Sequence, residues 1–156
     1  MNKRETDYKY EVAVRKFTTL IERAIADSHA TTSLQAGERR RWGSVLFTRI
    51  CTSSVSTLCL CPGSKANPDG IHWDFASIAS LVRNIYECAL SFFYLAVEKV
   101  SEDEWSCRLK VMQLHDCMAR FRMFHAFDPA DEQLSGFESQ AIDLRSAPGW
   151  LQDLHR

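Results

Sequence analysis

Two segments of this 156-residue chain hold the side chains best suited to chemistry. In the first, Arg83 and Glu87 stand four apart in an otherwise apolar run, with Ser80 and Asn84 beside them. An i,i+4 pair on a helix shares a face and can close an ion pair. Within apolar surroundings such a pair must be satisfied, because an unpaired buried charge is expensive. The patch therefore reads either as a buried network that fixes helix register or as a polar site facing a pocket. The second segment carries Glu104, Arg108, His115, Asp116, Arg120, Arg122 and His125. Arg108 and His115 are seven apart, hence nearly eclipsed on one helical face, and Arg122 continues that line.

The spacing Arg108 to His115, with six residues between, and Arg120 to His125, with four, resembles the R-x(4–6)-H signature of HEPN-type domains. These are helical bundles in which an Arg and a His carry metal-independent RNA cleavage, usually across a homodimer. The resemblance makes Arg108, His115, Arg120 and His125 the candidate catalytic residues and RNA a candidate ligand. Its motif is short: Arg23 to His29 fits as well, and five histidines, thirteen arginines and three allowed spacings give about one match by chance. The polar residue that commonly follows the Arg is replaced by Leu109 and Phe121. Leu114-His115-Asp116 also resembles the His-Asp doublet of HD-type metal phosphohydrolases, with His72 and Asp143 as nominal partners. Neutral imidazole and carboxylate suit a hydrolytic divalent metal, but the turn typical of that family is missing after the doublet. No Gly-rich phosphate loop, G-x-S-x-G or H-E-x-x-H is present, and no cofactor is implied.

The elements that must position these residues read as helices throughout. Apolar residues recur every three or four positions from Tyr8 to Ala30, an amphipathic helix. A second helix, from about Arg39 to Cys61, is rich in Ser and Thr, whose small side chains return hydrogen bonds to the backbone and permit close helix contact. It stops at Pro62-Gly63. Asp74 is placed to cap a third helix, from Phe75 to about Glu98, with Trp73 as a hydrophobic staple. That helix is apolar on nearly every face, which predicts a buried element. Ser101 and Glu104 form a capping box that opens a fourth helix, ending near Phe127 before Asp128-Pro129. A fifth is expected from Asp131 to Arg145, followed by a turn and either a helical turn or a frayed tail over 146–156. No stretch alternates as a strand does, so the fold class is all-α, an up-and-down bundle of about five helices in a single domain, 1–156.

Composition bounds the rest. At 46% hydrophobic and 25% charged residues the chain is an ordinary globular protein, and its formal charge of −1 argues against a dedicated polyanion binder. Five of the six cysteines fall in apolar helical stretches, and Cys59-x-Cys61 lacks a second pair at zinc-finger spacing, so buried free thiols in a reducing cytoplasm are expected, with no metal site. The polar amino terminus has no apolar run of a secretory signal behind it. Trp42 to Cys61 and Phe75 to Val97 are each long enough for the ~20 residues of a membrane span. Against that, Arg83, Asn84 and Glu87 lie mid-segment in one, each charge costing about 2.5 to 3.5 kcal/mol on insertion, and the other spends seven positions on Ser, Thr and Arg between Thr48 and Thr57.

Taken in order, the residues from His72 to Asn84, then Glu87, Glu104-Trp105, Arg108 and Leu114-His115-Asp116 resemble a family of uncharacterised bacterial helical proteins. The likeness covers about residues 40 to 127, and it implies an all-helical fold with no established activity. Members run further downstream, so the resemblance implies a shortened member as one expectation. Without a chemical motif above chance, the expected role is protein association, as a homo-oligomer or with a protein partner, through a helical domain whose polar patch is Arg83, Asn84, Glu87 and Asp116. The alternatives are the metal-independent ribonuclease and the metal phosphohydrolase.

Overall fold

The computed structural model describes residues 3–30, 37–70, 72–128 and 133–146. It shows the all-α fold, with five α-helices: α1 (Lys3–Ala30), α2 (Glu38–Leu60), α3 (Phe75–Phe92), α4 (Glu102–Phe127) and α5 (Gln133–Ser146). The tail expected over 147–156 lies outside the described residues. The backbone gathers into two compact units, Met1–Glu98 and Lys99–Arg156.

In the first unit α2 is the central element, packed on α1 and, more extensively, on α3. The α2–α3 contact is close because α2 offers small side chains. Gly43 lies so near the end of α3 and the residues that follow it that a Cβ placed on it would sit 3.7 Å from the Phe92 ring and 3.0 Å from the Ala96 Cβ. Ser53, Ser54 and Thr57 are buried further along. Phe47 meets Phe92 with ring centroids 5.8 Å apart, and Asn84 bonds Ser53, so the two helices run antiparallel. The buried Thr57 hydroxyl donates to the Ser53 carbonyl four residues back, which satisfies it within the helix.

The turn after α2 is held by specific bonds rather than by bulk. The Ser64 side chain, 1% exposed, donates to the Leu58 carbonyl and accepts from the Asn67 N–H, and Gly63 takes a positive φ of 71°. Tyr10 of α1 reaches this turn and donates to the Pro62 carbonyl at 2.7 Å. Trp73 is 42% exposed and lies edge-on to Tyr10 while stacking on Phe75, centroids 4.7 and 5.2 Å away. Asp74 caps α3 as expected, accepting from the Ser77 N–H at 3.0 Å.

After Phe92 the chain does not end its helix but widens it into a π-helical turn, Phe93–Val97. Leu95 within that turn is 1% exposed, and the Arg39 guanidinium donates to the Leu95 and Glu98 carbonyls at 3.3 and 3.0 Å. Arg39, one of the basic triplet 39–41, thus closes the carbonyl end of the α3 segment, where a cation complements the helix dipole.

In the second unit Ser101 caps α4 by accepting from the Glu104 N–H. Its buried residues are Trp105, Leu109 and Cys117 of α4 with Leu134 and Ala141 of α5. Phe124 stacks on Phe137, and the Cys117 thiol donates to the Phe137 carbonyl at 3.1 Å.

Candidate functional site

The residues that the sequence nominates for catalysis all lie on α4, where each Arg is engaged by a carboxylate one turn earlier. Arg108 donates through Nε and Nη2 to Glu104 Oε1 at 3.0 and 2.6 Å, and its side chain is only 9% exposed. Arg120 pairs with Asp116 at 2.7 Å on the surface. His115 and His125 are exposed, and the His125 ring lies against Phe121 with centroids 5.8 Å apart. These are i,i+4 contacts that any helix of this sequence would form. Among the described residues no three His, Cys, Asp or Glu side chains come together as a metal ion requires. The nominal metal set is divided, His72 in the first unit and His115, Asp116 and Asp143 in the second.

The polar patch on α3 differs from a buried network. Arg83 bonds Glu87 at 2.8 Å, but their side chains are 81% and 59% exposed. Glu87 raises the Arg83 pKa, as a hydrogen-bonded carboxylate should. Asn84 alone turns inward: its amide donates to Ser53 Oγ, and its carbonyl oxygen lies 3.7 Å from the Cys88 thiol.

A groove of about 790 Å³ runs between α1 and the turn that follows α2. Its walls carry both signs of charge, Glu11 and Glu22 with Arg15 and Lys65, and Lys65 pairs with Glu22 at 3.1 Å. Tyr10, which also lines it, has its phenol pushed up to about 12 by burial and by the neighbouring Cys61, away from the range in which it could exchange a proton near neutrality.

The feature with the clearest physical meaning is one the nominated residues do not include. The helix expected to be buried on all sides has only Cys88 buried between Phe75 and Phe92. The opposite face is open: Phe75 is 69% exposed, Val82 51%, Tyr86 66%, Leu90 55%, Phe93 57% and Val97 49%, and Ala79 is exposed among them. At 100° per residue, the positions from Phe75 to Phe93 fall within an arc of about 80°. Val97 follows most of one π-turn later. Arg83 and Glu87 lie along one edge of this stripe. The signal was present in the sequence as spacings of three and four, superposed on the equally apolar set that meets α2.

No protein-family model, curated protein or solved structure matches this chain.

Proposed function

We propose that this chain acts by protein association, and that the open face of α3 and its π-turn is the surface that associates. The supporting observation is the apolar stripe from Phe75 to Val97, six large side chains about half or more exposed on one side of one helix. Exposed apolar surface of that extent is uncommon on a protein that works alone, and where it is continuous it marks contact with another molecule. The α4 residues offer no competing arrangement, because the two arginines nominated there, Arg108 and Arg120, are held by carboxylates of their own helix.

The reading predicts that the chain migrates as a complex in extracts of the cells that make it. Gel filtration of such an extract should place it well above the 17.9 kDa of the free chain. The substitution V82E, at an exposed position, should return it to the free-chain volume. Migration of the wild-type chain at its own mass at every extract concentration would refute the proposal.

A further inference from the structure

We infer that the molecule covering this stripe is a second copy of the same chain, laid antiparallel on the first with the twofold axis at Tyr86. The inference rests on the association reading above and names its partner. Along the arc of the stripe the intervals between Phe75, Ala79, Val82, Tyr86, Leu90, Phe93 and Val97 are four, three, four, four, three and four, with exposed Ala76, Ala89 and Tyr94 at its margins. They read identically in both directions about Tyr86. A twofold contact between identical helices requires such a surface, because each residue must meet its mirror-numbered counterpart. Turned antiparallel about Tyr86, Phe75 meets Val97, Ala79 meets Phe93, Val82 meets Leu90 and Tyr86 meets itself. The small Ala79 opposite the large Phe93 gives the interlocking that apolar helix seams use.

Charge and area agree. Like edges of two antiparallel helices lie together, so the edge bearing Arg83 and Glu87 faces its own copy. Arg83 of one chain comes alongside Glu87 of the other, and the exposed pair within each helix can be exchanged for pairs between helices. The six large side chains expose roughly 700 Å², near the ~800 Å² per partner of a standard interface.

The test uses the purified full chain and two substitutions at opposed positions, V82E and L90K, each at a site more than half exposed. Circular dichroism should show both variants as helical as the wild type. Sedimentation equilibrium should give the wild type twice the 17.9 kDa monomer mass, and each variant alone should dimerise at least about 30-fold more weakly, as for a central interface residue. An equimolar mixture of the two variants should recover the dimer, because the antiparallel arrangement sets the new carboxylate against the new amine and leaves the second Val82–Leu90 contact intact. Dimerisation without recovery in the mixture overturns the antiparallel register. A monomeric wild type overturns the dimer altogether. Tyrosine acetylation read by peptide mass then separates the cases: Tyr86 modified leaves the surface open for another protein, whereas Tyr86 protected in the monomer means the chain covers its own stripe, and the association reading falls as well.

Discussion

The Asn84 side-chain amide donates to the Ser53 hydroxyl at 2.8 Å, joining α3 to α2 midway along their contact. Ser53 is buried and Asn84 half-buried, so the bond is made where water cannot readily replace it. Asn84→Ala leaves the Ser53 oxygen buried without this donor, a loss of about 1 to 3 kcal/mol. The double variant with Ser53→Ala should recover part of it, and urea denaturation of the four proteins measures the coupling. By contrast Arg83→Ala, one residue away and exposed, should leave the midpoint unchanged within the scatter of repeat titrations when made in the V82E background, where the contact between copies no longer contributes.

Gly43 and Ala96 set how near α2 and the π-turn approach. A methyl on Gly43 gains about 1 kcal/mol of helix propensity but begins 3.0 Å from the Ala96 Cβ, tighter than ordinary van der Waals contact. Gly43→Val, whose branches cannot withdraw, should destabilise by about 1 to 3 kcal/mol. Combining Gly43→Ala with Ala96→Gly should exceed the stability of Gly43→Ala alone. Thermal melts of the three variants decide the order.

Alkaline stability should fall in a defined window. Tyr10 in the folded chain titrates at about 12, against 10.0 when free. The folded state therefore favours the protonated phenol: that contribution is complete below pH 10 and is lost as pH rises from 10 to 12. Burial raises the Cys51 and Cys61 thiols in the same sense from 9.0. Tyr10→Phe should be less stable at pH 8 through the missing bond to the Pro62 carbonyl, yet lose less on going to pH 12. Equal pH slopes for the two proteins between 10 and 12 would contradict this.

Thiol reactivity should sort by burial. Cys59 is exposed and Cys107 intermediate, while Cys51, Cys61, Cys88 and Cys117 are buried. Native protein treated with an aromatic disulfide reagent should release one fast equivalent, absent in Cys59→Ser, followed by the rest on unfolding.

Much of this architecture is legible in the residues themselves. Asp74 and Ser101 announce the starts of α3 and α4, Pro62-Gly63 announces the end of α2, and the small residues of α2 foretell a close neighbour. What remained hidden is the allocation of the two apolar faces of α3. Periodicity tells that a side of a helix is apolar; only the position of a neighbour tells whether that side is covered, and α2 covers just the side of Asn84 and Cys88. For the same reason Arg83 and Glu87, set in an apolar run, read as buried when they flank an open face. On α4 the Arg–His spacings are true helical neighbours, yet spacing carries no information about the carboxylates of Glu104 and Asp116 that occupy the guanidinium groups first.

The π-turn at Phe93–Val97 makes chain length adjustable at this point. A π-turn accommodates one residue more than the α-turn it replaces, so losing any one of the five would leave a regular helix. The wider turn spends its extra residue on a single circuit, so the chain beyond such a gap would keep nearly its present orientation. A residue lost from the α-helical stretch before Phe92 would instead turn everything after it by about 100°. The carbonyls that Arg39 grips would stay within its reach in the first case and swing away in the second. A single deletion should therefore be tolerated better here than earlier in α3, and in related sequences a one-residue gap should fall within these five positions.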